Sequence, residues 1–565
     1  MPTFLLSRYN LARAKTRRAI FPQAAKMTTG SDHGFFEYTR DRFVIDEAEQ
    51  MARRRIRFNI NELGRVAAKA VGAMRCVNIE KCADGMYNKA YTLTMDNGMQ
   101  VIGKVPNPNA GMPHYTTASE VATMEFVRNI LKTPAPRVYT WSSRVDDASN
   151  TVGVEFIIME KLLGIPLSVV WSKLNLDARF KIFIQMFDIQ KKWSAVRFTQ
   201  FGSLYYAKDM ESCSDSPLYV EDGVPVTNDL FAVGPAAGRE WNDERRQKLQ
   251  CHRGPWSSVL EYRKGIALRE ISAIKNLSYI PKQMAMIYGP GQLYQPTLAK
   301  KLASLESYMQ ILKYLLPTDP SLTSGHIWHD DLHHENVFMN PDNPTEILGI
   351  LDWQSVQIVP LFDHSLDPSF LGYCGLEIDD DLDIPKFPDN FNSLQGEEKT
   401  RVFNRVNDKA IMVAWRRLVQ GKNPDQYKAI KFQKTTPGHI LILSRRIFEL
   451  AEAHLHALLL VLRDEWHDHF PEESNNSTPF PIDFSAEKVA EIEADTKRAD
   501  LSIETINLMK QCFGDMWPEN GVIEHEMYEE VKVALRKVKA ELIEKYCGQS
   551  DQNKAIFEEL WPFDD

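Results

Sequence analysis

The segment His329-Asp330-Asp331-Leu332-His333-His334-Glu335-Asn336, followed shortly by Ile350-Leu351-Asp352-Trp353, constrains this chain more than any other. Residues 337–340, the turn residues Pro341-Asp342-Asn343-Pro344 and residues 347–351 read as a β-hairpin, two apolar runs on either side of turn formers. A hairpin folds the chain back, so Asn336 and Asp352 come to the same end of two adjacent strands. Three polar groups then stand where magnesium-dependent phosphoryl transfer needs them. The Asp331 carboxylate can hold and deprotonate an acceptor hydroxyl, while Asn336 and Asp352 offer hard oxygen ligands to Mg2+. A His- and Asp-rich loop alone is ordinarily a solvated surface. It is the spacing His-x-Asp-x-x-x-x-Asn with a strand ending in Asp that argues for a site.

The chain is long enough for about two to four domain-sized units. Its net charge of −9 and pI of about 5.9 give no case for a nucleic-acid binder. Seven cysteines (Cys76, Cys82, Cys213, Cys251, Cys374, Cys512, Cys547) are scattered without a CxxC pair, which suggests reduced thiols in an intracellular compartment. The apolar run at residues 457–462 is too short to cross a bilayer, so a soluble chain without a transmembrane segment is expected. The leader differs from the rest: Arg8, Arg13, Lys15, Arg17, Arg18 and Lys26 all precede the first acid, Asp32. On a helix, Leu5, Tyr9, Ala12, Ala19 and Ile20 share one face, the composition of a mitochondrial presequence. A disordered basic tail is the alternative. A mitochondrial matrix protein is expected, with Met27 as an internal start for a cytosolic form.

Beyond the leader, residues 36–75 read as helical. Strand patterns follow at 77–80, 90–94 and 100–105, the last two joined by the hairpin turn Asp96-Asn97-Gly98. A helix at 118–131 and a strand at 155–159 complete a β-β-β-α-β order suited to a small ATP-binding lobe. Gly85, in the connection before the second strand, allows close backbone approach to phosphates. Lys104 and Ile102 share one strand face, so Lys104 reaches for phosphates while Ile102 covers adenine. Glu120 is the expected partner of Lys104, with Glu125 as competitor. Met159-Glu160-Lys161-Leu162 reads as the hinge whose backbone meets the adenine edge. Helices are then expected at 178–192, 298–316, 408–419, 440–463, 486–499 and 527–546. Residues 201–290, rich in Gly, Pro and aromatics, read as an insertion of packed loops and short helices. The resulting division is 1–35 presequence, 36–76 helical extension, 77–160 nucleotide lobe, 161–385 catalytic lobe, and 386–565 a helical part packing on it.

These residues together resemble the aminoglycoside phosphotransferase family of the protein-kinase-like superfamily. The matching elements are Gly85-x-x-Asn88-x-x-Tyr91, Lys104, Met159-Glu160 with Gly164-x-Pro166-Leu167, His329-x-Asp331-Leu332-His333-x-x-Asn336, and Asp352-Trp353. More narrowly, residues 201–206 (FGSLYY), 253–256 (RGPW) and 351–355 (LDWQS) look like the fungal "altered inheritance of mitochondria" phosphotransferase-like group. The resemblance implies an α+β, bilobal kinase-like fold with ATP and Mg2+ as cofactors. It assigns Gly85, Asn88 and Lys104 to phosphates, Asn336 and Asp352 to the metal, and Asp331 to catalysis, with His329 bracing the loop. The acceptor expected is a small hydroxylated molecule or a protein. One departure stands out: Asp330 replaces the family's usual glycine, so it either points away or raises the Asp331 pKa. A nucleotide-binding scaffold without catalysis and an AMP-transferring enzyme are the competing readings. The acidic run 377–383 reads as a solvated loop or an attractor for a cationic acceptor, and His454, His456, His467 and His469 as surface or packed histidines.

Overall fold

The computed structural model describes residues 33–210, 216–373, 375, 378, 380–469 and 479–564. The basic leader, Met27, Cys213, Cys374, Glu377 and Asp379 lie outside the described residues. The chain enters through strand β1 (Asp41–Phe43), then helices α1 (Glu47–Arg54) and α2 (Ile60–Ala70). The Asn59 side chain caps α2 by accepting the Glu62 N–H at 3.1 Å, which satisfies one of the helix's unpaired donors.

Strands β2 (Cys76–Lys81), β3 (Asn88–Met95) and β4 (Gln100–Pro106) lead to helix α3 (Tyr115–Asn129), strand β5 (Val138–Ser142) and strand β6 (Phe156–Glu160). They form one antiparallel sheet in the order β2-β3-β4-β6-β5. Its β5 is absent from the order read in the sequence. Every residue of β5 is half-buried, so no alternation marks it. The two faces of β4 divide the labour. Val101, Gly103 and Val105 are buried toward the face covered by α2, where an added Cβ on Gly103 would sit 3.2 Å from Leu63. Gln100, Ile102 and Lys104 alternate onto the opposite, cleft side.

Strand β7 (Ile165–Pro166) pairs with β8 (Val337–Met339), and β8 pairs with β9 (Ile347–Ile350), the expected catalytic hairpin. The hinge exit is therefore stitched directly to the hairpin. Gly164 makes this possible, because a Cβ there would lie 2.9 Å from the Met339 carbonyl oxygen.

The second lobe is mainly helical: α4 (Leu176–Ala195), α5 (Val259–Leu277), α6 (Leu298–Leu315), α7 (Gly396–Lys422), α8 (Pro424–Gln433), α9 (Thr436–Ser444) and α10 (Glu452–Asp464). Its core joins Trp193, Trp328, Trp353 and Trp415, all fully buried, with Leu and Ile side chains of α6, α9 and α10. The insertion is more regular than its Gly and Pro content suggests. It holds the strand pair Ser203–Tyr206 and Phe231–Gly234 and the nineteen-residue α5. Ser258 caps α5 through the Glu261 N–H, so Ser-x-x-Glu was the available signal. The helix expected at 440–463 is two helices, broken by Ala451 at φ 87°. The break lets Arg445 and Glu449 turn inward. Arg445 binds the half-buried Glu240 at 2.9 Å, and Glu449 binds Arg246, which also grips Glu270, these last three buried.

Helices α11 (Ala486–Phe513), α12 (Tyr528–Cys547) and α13 (Asp551–Leu560) form a second core that includes Val44. Strand β10 (Val522–Glu524) pairs antiparallel with β1. The Asp564 carboxylate accepts the Asp46 and Glu47 N–H groups at 2.9 and 3.0 Å, capping α1 from the far end of the chain. No helix of the described residues is long and apolar enough to cross a membrane.

Burial also sets an acid limit. It depresses His326 to about 3 and His334, His439 and His456 to about 4. Unfolded histidines titrate near ~6.5, so the unfolded chain binds more protons from there down to ~4. Stability therefore falls as pH drops through that window. We expect the unfolding free energy to fall by on the order of several kcal/mol between about pH 7 and pH 5. A urea midpoint unchanged over that interval would contradict it.

Candidate active site

The loop after the buried strand Gly325–Ile327 is organised by hydrogen bonds to its own backbone. His329 Nδ1 accepts the Asp331 N–H at 3.3 Å, which leaves Nε2 as the donor to the Leu351 carbonyl at 2.8 Å. This one ring ties the start of the loop to the end of β9. Asn336 Nδ2 donates to the Asp331 carbonyl at 3.0 Å, and the Leu351 N–H donates to the Asn336 carbonyl at 2.8 Å. The Asn336 amide is thereby oriented with its oxygen free of that bond. The Asp331 side chain is 68% exposed, with His333 Nε2 at 3.6 Å.

Asp352 follows β9 with φ 62°, in the left-handed region, which costs a non-glycine residue roughly 1–2 kcal/mol. Trp353 holds that turn. Its ring is buried, donates to the Ile350 carbonyl at 2.9 Å and meets His329 edge-on at 4.8 Å. The turn aims the Asp352 carboxylate across the cleft at Lys104.

Lys104 Nζ lies 2.5 Å from Glu120 Oε1 and 2.9 Å from Asp352 Oδ1. Glu125 instead takes the Asn129 amide at 2.5 Å on the surface. Burial works against a charged Lys104, but Asp352 and Glu120 outweigh it and raise its pKa. Burial likewise pushes the Asp352 carboxyl up, yet the Lys104 charge and hydrogen bond hold it below its ordinary value. The 41% exposed Asp352 side chain keeps one edge open to the cleft.

The loop around Gly85 is closed by the Gly85 N–H to the Asn88 carbonyl at 3.2 Å. Asn88 and Gln354 exchange amide hydrogen bonds at 3.0 and 3.1 Å, linking the loop to the residue after Asp352-Trp353. Behind the loop, buried Asp84 binds Lys89 at 3.0 Å, Lys81 at 2.6 Å and the Thr39 N–H at 2.9 Å. At the hinge, Ile102 stands opposite Met159 in register. Glu160 turns its carboxylate to the Arg137 N–H at 3.0 Å, and Leu162 fills the space a Cβ on Gly349 would need.

Asp330 turns to His364, 3.0 Å from its Nδ1, and accepts the Ser365 N–H at 2.7 Å. Burial raises its carboxyl, but His364 and the Ser365 N–H more than offset this and hold it low. His364, Gln354 and Arg239 are the neighbours that sequence reasoning did not assign. Their contacts are long-range and leave no local pattern. His454 and His456 are buried on α10, with His454 Nε2 at 3.3 Å from Asp500.

A five-stranded lobe hinged to a helical lobe, with lysine, glutamate and two loop carboxylates at the junction, is a bilobal kinase-like fold of the α+β class. A family model described as "Phosphotransferase enzyme family" matches residues 78–363, about half of the chain. The chain belongs to that family. It is 30% identical over 356 residues to a subtelomeric hrmA-associated cluster protein of Aspergillus fumigatus, covering 58% of this chain and 67% of that protein. It is 25% identical over 446 residues to "Altered inheritance of mitochondria protein 9, mitochondrial" of Eremothecium gossypii, covering 74% and 70%. Among solved structures, an aminoglycoside phosphotransferase in ternary complex with AMP-PNP and hygromycin B is similar at TM-score 0.29 and 12% identity, over 68% of this chain and 99% of that one.

Proposed function

We propose that this phosphotransferase moves the γ-phosphate of ATP to a hydroxyl of a small-molecule or protein acceptor. The observation that carries the reading is the Lys104 ammonium held between Glu120 and Asp352, on the cleft side of β4. The donor set fits the cofactor: the Asn336 amide oxygen and the Asp352 carboxylate are hard oxygen ligands suited to Mg2+. When bound, Mg-ATP supplies the transferable group and neutralises charge on it. Lys104 and the Gly85 loop then hold phosphates, while Ile102, Met159 and the backbone of Glu160 and Leu162 border the base. Asp331 orients the acceptor hydroxyl and takes its proton, at a loop position fixed by His329 and Asn336. Asp330, engaged by His364, leaves that carboxylate unencumbered.

Asp331→Asn tests the assignment directly. It keeps the loop's backbone bonds, so Mg-ATP binding should persist while transfer falls by ~10²–10⁴-fold. Mass spectrometry of the acceptor separates phosphate from adenylate; an adenylyl product would overturn this reading. We place the activity in mitochondria, supported by the basic leader and the mitochondrial names of its relatives. A fluorescent protein fused behind residues 1–35 should reach mitochondria; a diffuse cytosolic signal would count against it.

A further inference from the structure

The insertion brings a cation to the mouth of this site. Arg239 opens the short turn Arg239–Trp241, and its guanidinium lies over the Tyr87 ring of the Gly85 loop, 3.0 Å from the centroid. Among the described residues no salt bridge or hydrogen bond takes its guanidinium N–H groups, and the Asp243 carboxyl feels its charge without being bonded to it. The guanidinium is thus a planar fork of donors seated on the loop with its N–H groups unbonded.

Its post is rigid. The next residue, Glu240, is gripped by Arg445 at 2.9 Å, and Trp241 after it is fully buried. The preceding Gly238 lies so close to Gln357 that a Cβ would stand 2.1 Å from its amide. The backbone of Arg239 is therefore packed on both flanks. One guanidinium is thus seated on the loop read as covering the phosphates, with its flanking Gly238 and Glu240 against Gln357, five residues after Asp352.

We propose that Arg239 contacts the terminal phosphate of the bound nucleotide, lending positive charge to the phosphoryl group in transfer. This rests on the nucleotide reading above. A preorganised guanidinium stabilises charge that spreads over the phosphoryl oxygens, and a charge-assisted fork to phosphate is strong and geometrically selective. The planar Tyr87 face keeps the fork extended while leaving its edge free.

The test is titration calorimetry of the full chain and of Arg239→Gln with Mg-AMP-PNP and with Mg-ADP, which lacks the terminal phosphate. Arg239→Gln should weaken Mg-AMP-PNP by about tenfold or more and Mg-ADP by no more than about twofold. Arg239→Lys should retain part of the preference, since it keeps the charge but loses the fork. Equal weakening of both ligands would show a structural role for Arg239, and no weakening of either would show no role; both overturn the proposal. Failure of the unaltered chain to bind either nucleotide overturns the nucleotide reading itself, and this assignment with it. Should Arg239→Gln not fold, Arg239→Lys with the same ligand pair decides alone: an unchanged preference for Mg-AMP-PNP overturns the proposal.

Discussion

Asp352→Ala should abolish the magnesium-dependent rise in thermal unfolding midpoint produced by ATP, and turnover with it. A ligand at 100 times its dissociation constant adds about 2.7 kcal/mol to the folded state, so the missing shift is large enough to read. Two effects must be separated. Asp352 sits at φ 62°, where alanine is strained, so the alanine variant loses some stability without any ligand. Asn tolerates that conformation, and Asp352→Asn removes only the charge that faces Lys104 at 2.9 Å. Both variants should lose the shift, and only the alanine variant should melt markedly earlier alone. A magnesium-dependent shift surviving in Asp352→Asn would remove Asp352 from the metal site.

Lys104→Met carries the other large effect, on stability and binding together. Glu120 is 2% exposed, so losing the ammonium strands a buried carboxylate. Breaking one side of a buried pair costs about 3–5 kcal/mol. The Lys104→Met/Glu120→Gln double variant should recover most of that loss, because no charge is left stranded, while still failing to bind nucleotide. Recovery of nucleotide affinity in the double variant would show that the lysine serves the fold alone. Denaturant midpoints with and without Mg-ATP read both quantities.

The β8-β9 hairpin and the β3-β4 hairpin were legible because their information is local: apolar runs, turn formers and a two-residue period. The Lys104–Glu120 pair was legible in part: a strand face and the following helix narrowed the partner to Glu120 or Glu125, and the structure pairs Lys104 with Glu120. Contacts made across hundreds of residues left no trace. The Asn88–Gln354 amide pair spans the lobes, and the Arg246–Glu270–Glu449 cluster explains why one apolar periodicity at 440–463 became two helices. Helix α5 hid inside a Gly- and Pro-rich segment, although Ser258 and Glu261 announce its start. The departure at Asp330 could not be judged from sequence, because His364, 34 residues on, decides where it points.

The pairing of β1 with β10, and the capping of α1 by Asp564, make the backing of the Gly85 loop a latecomer. Thr39 braces Asp84 at the root of the glycine loop, and Tyr38 touches Met86 at its tip, so the segment leading into β1 is part of that loop's support. The strand that holds it in place comes off the ribosome more than 470 residues later. Until then Thr39 and Tyr38, which contact Asp84 and Met86, are not held in place. Loop closure over such a span is slow relative to local helix formation. A nascent chain should thus form its local helices first and complete the backing of the Gly85 loop only once β10 has emerged.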